Sequence, residues 1–166
     1  MSALLQNQHN PEPFQVREMF AQDIDAVMRI EKNIYLFPWT AGNFIDSIRS
    51  GYYCAILQQN KEVAATLIGY GVLMVGAGEA HLLNLSVAAE HQRKGLGTRL
   101  LQHFIAHARG LQARYLFLEV RVSNRGAIQL YERAGFIEAA TRKHYYPAER
   151  AHQPREDALI MELKLT

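Results

Sequence analysis

One stretch constrains this chain more than any other. A strand-like run, HLLNLSV (residues 81–87), is followed by Gln92-Arg93-Lys94-Gly95-Leu96-Gly97-Thr98 and then by a one-sided helix. In that helix, read from Lys94 to Arg109, Leu96, Leu100, Leu101, Phe104, Ile105 and Ala108 share one face, and Gly110 ends it. A strand that turns through glycines into an amphipathic helix commits this part of the chain to a helix-covered sheet. The two glycines let the backbone turn tightly and present its N–H groups outward. The helix N-terminus adds partial positive charge, and Arg93, Lys94 and Arg99 add whole charges, so the turn suits a phosphate. The P-loop pattern is absent, and the dinucleotide fingerprint lacks its third glycine, where Leu100 stands. On the loop alone, a phosphate site and a plain glycine turn with solvated cations stand about even.

The rest of the pattern supplies the sheet. FQVREM alternates as a strand. A helix follows from about Asp23, a plausible N-cap, carrying Ile24, Val27, Met28 and Ile34, and it is broken at Pro38. A short helix runs from about Gly42 to Arg49 and stops near Gly51. YYCAILQQ, the turn Asn60-Lys61, VAATLIGYGVLMV, the turn Gly76-Ala77-Gly78 and EAHLLNLSV then read as consecutive strands. ARYLFLEVRV is a strand, Asn124 to Ala134 a helix with Gly135 just past its end, and FIEAATRKHYY and DALIMELKL the last strands. Hairpins early and crossover helices late predict an α/β (α+β mixed) fold: a mixed, mostly antiparallel central sheet with helices on both faces.

At 166 residues the chain suits one domain, 14–166, behind a polar mobile tail, 1–13, that carries Pro11 and Pro13. The net charge of +2 is too small to demand nucleic acid or a membrane surface. Cys54 is the only cysteine, which excludes an intrachain disulfide and a cysteine metal site. MSALLQNQHN has no signal-peptide pattern, and the apolar run from Val63 to Gly78 is shorter than the ~20 residues that span a bilayer. The expectation is a soluble, cytoplasmic protein without metal. No HExxH arrangement is present, and His103 and His107 are expected to face solvent. Ser86 and Ser123 have no evident His–Asp partners, so a covalent serine mechanism is not supported.

The motif Q-x-x-G-x-G after HLLNLSV resembles the acyl-CoA loop of the GNAT acetyltransferase superfamily. LEVRVSNRGAIQLYERAGF, FPW at Phe37–Trp39, YYP at Tyr145–Pro147 and REDALIM at Arg155–Met161 are similar to the ribosomal-protein-alanine N-acetyltransferases, the RimI type. The resemblance runs from about Phe14 to Leu165. It implies the GNAT fold and an enzyme that uses acetyl-CoA to acetylate a protein N-terminus. The implied acceptor is the N-terminal alanine of a small-subunit ribosomal protein, attacked directly without an acyl-enzyme. His144 stands where the family usually has asparagine, and the segment Ala148–Pro154 looks longer; both lie on the acceptor side.

By this resemblance Leu85, Ser86 and Val87 hold the pantetheine arm and thioester through backbone groups, while Arg93, Lys94, Gly95, Leu96, Gly97 and Thr98 hold the pyrophosphate. By pattern alone Leu85 and Val87 are strand core. Asn124 reads as an N-cap and by resemblance also bonds the cofactor. Glu119 shares a strand face with Tyr115, Phe117 and Arg121, opposite Leu116, Leu118, Val120 and Val122. It reads either as a surface partner of Arg121 or, by resemblance, as the general base, made more basic by its aromatic neighbours. Tyr131 is a core aromatic by pattern and the general acid by resemblance. A tyrosine near pKa ~10 facing a thiol near ~8.5 would give up its proton at a cost of about 2 kcal/mol, which favours a hydrogen-bond donor. Phe37, Pro38, Trp39, Tyr145 and Tyr146 are implied to line the acceptor groove. Two other functions stay open: acetylation of a lysine side chain or small amine, and a non-catalytic acyl-CoA-binding regulatory module.

Overall fold

The structure is a computed structural model and describes residues 13–60, 64–148 and 153–166. The expected tail up to residue 12, Lys61 of the expected turn, and 149–152 of the longer segment lie outside the described residues. Among the described residues seven strands alternate with four α-helices: β1 (Phe14–Glu18), α1 (Ile24–Ile34), α2 (Ala41–Arg49), β2 (Tyr53–Gln59), β3 (Thr66–Gly76), β4 (Glu79–Val87), α3 (Leu96–Gly110), β5 (Tyr115–Arg121), α4 (Arg125–Arg133), β6 (Ile137–Tyr146) and β7 (Glu156–Lys164). The strand order is β1-β2-β3-β4-β5-β7-β6. Every neighbouring pair is antiparallel except β4–β5, which α3 joins as a crossover. The expected mixed, mostly antiparallel sheet is what forms.

Its two faces carry two cores. Leu100, Leu101 and Phe104 of α3 and Ile128 and Tyr131 of α4 pack with Leu57, Leu82, Leu116, Leu118 and Met161 on one side. Ile24, Val27 and Met28 of α1 and Phe44 of α2 pack with Met19, Ile56, Tyr70 and Val72 on the other. Phe104 packs so closely on the sheet that a Cβ on Gly71 of β3 would come within 2.5 Å of its ring. Among the described residues no helix is long and apolar enough to cross a membrane, and no cluster of His, Cys, Asp or Glu is placed to hold a metal ion.

Several local expectations need correction. Asp23 does occupy the N-cap position of α1, but its side chain makes no capping bond there. Its carboxylate instead accepts both Arg17 guanidinium nitrogens at 2.8 Å and the Phe20 N–H at 2.9 Å, tying β1 to the turn that leads into α1. That arginine bond, ahead of the opposing effect of burial, holds the Asp23 carboxyl below the usual range. Helix α1 ends at Ile34, before Pro38. Helix α2 starts at Ala41 because Thr40 and Asn43 cap each other's backbone N–H groups. Gly110 is the last residue of α3, and the chain reverses at Gln112, whose φ is 60°. The β3–β4 turn does follow its glycines: Ala77 and Gly78 both take positive φ, as a two-residue hairpin of this twist requires.

Candidate active site

The sheet opens at one point. β4 pairs with β5 only from Glu79↔Tyr115 to Leu82↔Leu118. Beyond it, β4 stays bonded to β3 as far as Gly69↔Val87, and β5 stays bonded to β7 as far as Arg121↔Ala158. The register of β3–β4 slips at the same place, Val72↔Asn84 being followed by Leu73↔Leu82, so Leu83 bulges. A bulge at this position bends the strand away from its neighbour. Among the described residues, the edge of Leu85, Ser86 and Val87 that faces β5 is therefore left without a strand partner, as a backbone site for an extended ligand needs.

Helix α3 begins beside the end of β4. Gly95 is its N-cap at φ 77° and has no side chain to cap the first turn, which leaves that turn suited to an anion among the described residues. Gln92 Nε2 donates to the Val87 carbonyl at 2.9 Å and braces the loop against β4. Lys94 Nζ donates to the Glu90 carbonyl, and Arg93 takes a positive φ. Leu96 is buried in the core, and Gly97 lies where α3 meets α4: a Cβ there would touch Leu130 at 3.5 Å. Arg99 turns away from the loop and donates to the Phe14 carbonyl on β1. Thr98 stands in the first turn of α3. Asn124 caps α4, its side-chain oxygen accepting from Ala127 N at 3.2 Å.

The opposite wall is built from side chains. Glu119 sits on β5 one residue beyond the last β4–β5 pair. Its carboxylate meets Arg142 of β6 at 3.0 Å, both side chains being partly open to water. The expected Arg121 partner is taken by Glu156, at 2.9 Å. Burial pushes the Glu156 carboxyl up, but the Ser123 and Arg121 bonds outweigh it and hold the group below its ordinary value. The Arg121 guanidinium lies 4.5 Å from the Tyr146 ring centre and 6.0 Å from that of Phe37, joining the α1–α2 loop to the end of β6. Pro38 is exposed, and Trp39 packs on Phe44 at 5.2 Å. Arg142 covers the Tyr145 ring at 4.7 Å. Hydrogen bonding to Glu119, then burial, raises the Tyr145 phenol, and burial, then Glu119, pushes Tyr146 up to about 12.

Tyr131 is buried against Phe136. Burial, followed by the neighbouring Tyr35 and Tyr146, drives its phenol far above the ordinary value, so it keeps its proton. Glu119 raises Tyr146, and Tyr146 in turn raises Tyr131, so the expected base and the expected acid both neighbour that one phenol. The histidines at 103 and 107, expected to face solvent, are half-buried. Both pack on Tyr53, whose hydroxyl meets His103 Nε2 at 2.7 Å and whose ring stacks on His107 at 3.5 Å, and burial lowers the pKa of both.

Sequence reasoning missed two groups. The motif residues Arg155 and Asp157 shape the end of β6. Arg155 donates to the His144 and Tyr145 carbonyls, and Asp157 accepts the His144 N–H at 2.8 Å. His144 has φ 52°, a left-handed position in which Asn, Asp and His are enriched. The second group is a buried polar chain, Glu31, Tyr35, Tyr70, Asn84 and Ser86, behind the α1–α2 loop. Its signal was present: positions 24, 27, 28 and 31 form one helical stripe, and a carboxylate occupies the last of them.

Known proteins are similar to this chain in sequence and in fold. Residues 24–136 match the model of the Acetyltransferase (GNAT) family. The chain is 39% identical over 144 residues to the [ribosomal protein bS18]-alanine N-acetyltransferase of Escherichia coli K12, covering 87% of this chain and 93% of that one. It is 34% identical to the putative [ribosomal protein bS18]-alanine N-acetyltransferase of Bacillus subtilis 168, over 88% of this chain and 92% of that one. The crystal structure of the Escherichia coli ribosomal-protein-S18-alanine N-acetyltransferase superposes with a TM-score of 0.82 at 35% identity, over 92% of this chain and 94% of that one. A sheet parted between β4 and β5, a glycine loop opening α3 and a matching sequence thus agree, and the chain belongs to the acetyltransferase (GNAT) family.

Proposed function

We propose that this chain acetylates the N-terminal α-amine of a protein, the N-terminal alanine of a small-subunit ribosomal protein being the acceptor. The carrying observation is the 39% identity to a [ribosomal protein bS18]-alanine N-acetyltransferase across nearly its whole length. Bound acetyl-CoA supplies the acetyl group as a thioester. The unpaired edge of Leu85, Ser86 and Val87 suits its pantetheine amides, and the uncapped first turn from Gly95 to Thr98, with Arg93 and Lys94 beside it, suits its pyrophosphate. Asn124 stands at the start of α4 as a further polar contact.

On the acceptor side, Glu119 takes a proton from the incoming ammonium, directly or through water. The Arg142 pair is partly exposed, so it contributes only about 0–1 kcal/mol and yields readily to another cation. Tyr131 holds its proton at Oη and donates a hydrogen bond from there. Phe37, Pro38, Trp39, Tyr145 and Tyr146 form the wall against which the first residues of the acceptor lie.

The chemistry favours an α-amine over a lysine. Their ordinary pKa values, ~7.8 and ~10.4, differ by about 2.6, or roughly 3.5 kcal/mol of deprotonation cost. The test competes a peptide with free N-terminal alanine against its N-blocked counterpart bearing an internal lysine, using labelled acetyl-CoA and locating the label by fragmentation. Label on the α-amine is expected. Predominant lysine labelling refutes the reading, and no thioester consumption with either peptide supports a non-catalytic module.

A further inference from the structure

We propose that Glu31 is a positioning residue for the acceptor reaction: its buried carboxylate fixes the loop Tyr35–Trp39 to β4, so that the acceptor wall and the strand edge beside it move as one body. The inference rests on the function proposed above, which makes that loop part of the acceptor groove.

Glu31 is 1% exposed and lies on the apolar stripe of α1. An ionised carboxylate only accepts hydrogen bonds, and burying one costs several kcal/mol unless donors surround it. Three donors do so, from three elements. Trp39 N–H in the α1–α2 loop donates to Oε1 at 2.8 Å. The Tyr70 hydroxyl of β3 and Asn84 Nδ2 of β4 donate to Oε2, the latter at 3.3 Å. All three donors are neutral, so the carboxylate is the hub of a directional tie between elements and not half of an ion pair. Burial, then the bond to Glu31, drives the Tyr70 phenol far up, which keeps it a donor.

The tie continues into the opened part of β4. Ser86 Oγ donates to Asn84 Oδ1 at 3.1 Å, and the Tyr35 hydroxyl meets Ser86 Oγ at 2.8 Å. The loop is thus held at both ends, by its Trp39 backbone and by its Tyr35 side chain, against the strand segment that has left β5. Between those ends Phe37 stands 49% exposed, near the Arg121 guanidinium. A leucine or methionine at 31 would fill the same space with no donor-specific bond to Trp39.

The test uses Glu31→Gln and Glu31→Ala in the full chain, with steady-state kinetics on an N-terminal alanine peptide and with Trp39 emission, Trp39 being the only tryptophan. In folded Glu31→Ala the peptide KM should rise roughly tenfold or more, the loss of about one buried hydrogen bond or greater. The acetyl-CoA KM should stay within about twofold, because β3 still holds the β4 backbone, and Trp39 emission should shift. Glu31→Gln keeps one acceptor oxygen for Trp39 and should restore most of the peptide KM. A folded Glu31→Ala with lowered Tm but unchanged peptide KM overturns the proposal, as does unmoved Trp39 emission. Should Glu31→Ala not fold, Tyr70→Phe carries the test: a smaller change of the same sign supports the tie, and no change overturns it. If the wild-type chain acetylates no N-terminal peptide, the functional reading falls, and Trp39 emission alone then decides whether Glu31 holds the loop.

Discussion

The two walls of the cleft are made differently. The wall proposed for acetyl-CoA is backbone: the freed edge of β4 after the Leu83 bulge, and the uncapped first turn of α3 behind Gly95. Apart from Asn124, its parts lie within residues 83–98, and its side chains mostly face the core or brace the loop, as Leu96 and Gln92 do. The wall proposed for the acceptor is side chain, gathered from five elements and their loops. Arg121, Glu156 and Tyr146 cross-link β5, β7 and β6, while Glu31 and Tyr35 fasten the α1–α2 loop. A backbone site tolerates change in its side chains as long as the chain path survives. A cross-linked side-chain wall does not, because each charge or hydroxyl is the partner of another.

The largest break in that comparison comes from the carboxylate. Glu119→Gln keeps the shape of the wall and removes the base, so kcat at neutral pH should fall by roughly 10²–10⁴, the usual contribution of a general base. The deficit should shrink as pH passes the acceptor α-amine near ~7.8, above which the amine arrives already deprotonated. Rate–pH profiles of both enzymes check this, and equal activity near neutrality would remove Glu119 from the mechanism. On the backbone wall, Gly97→Val pushes a branched side chain toward Leu130, 3.5 Å from where its Cβ must sit. Overpacking of that kind costs about 1–3 kcal/mol. Calorimetry should therefore show acetyl-CoA binding weakened by roughly five- to hundredfold in a protein whose sheet core still melts cooperatively.

That division also explains what the sequence revealed. The order of strands and helices, the face shared by Leu116, Leu118 and Val120, and the Asn124 cap follow from periodicity and capping, which act over a few residues, and they are observed. So is the glycine loop, whose parts adjoin in the chain. The partners of Glu119 and Arg121 were not legible, because Arg142 and Glu156 reach them only through the β5-β7-β6 order. Spacing alone favoured Arg121 beside Glu119, whereas two residues apart on one face still left each to its cross-strand partner. The use of the Leu85–Val87 backbone was implied by resemblance, while the divergence of β4 from β5 and the one-residue bulge at Leu83 leave no mark in the strand-like run HLLNLSV. Asp23 stood in a good capping position, and Arg17, six residues earlier, outbid the helix for its carboxylate.

Tyr131→Phe tests the boundary between the two walls and should have a smaller effect. Its phenol is buried and holds its proton firmly, so the hydroxyl offers a hydrogen bond and not a proton. A single such bond contributes about 1 kcal/mol, giving a fall in kcat of roughly five- to tenfold with little change in either KM. Single-turnover rates separate this from slow product release. A loss of 10³ or more would mean that Tyr131 transfers its proton after all.

The smallest effect is expected at His144, at the end of β6 on the proposed acceptor side. Its position is set by the backbone: φ is 52°, the N–H is held by Asp157 at 2.8 Å and the carbonyl by Arg155 at 2.9 Å. Among the described residues, the hydrogen bond of the ring is a long one, 3.4 Å, to the Arg155 carbonyl. What the site asks of residue 144 is tolerance of the left-handed conformation, which both histidine and asparagine have and alanine lacks. His144→Asn should therefore leave peptide kinetics and acceptor preference unchanged and shift Tm little in either direction. His144→Ala should lower stability by about 1 kcal/mol through backbone strain, again with specificity intact. Thermal melts of the two variants, beside competition between alanine- and serine-initiated peptides, distinguish a conformational role from a recognition role. A change of acceptor preference in the Asn variant would give the imidazole a direct part in reading the substrate.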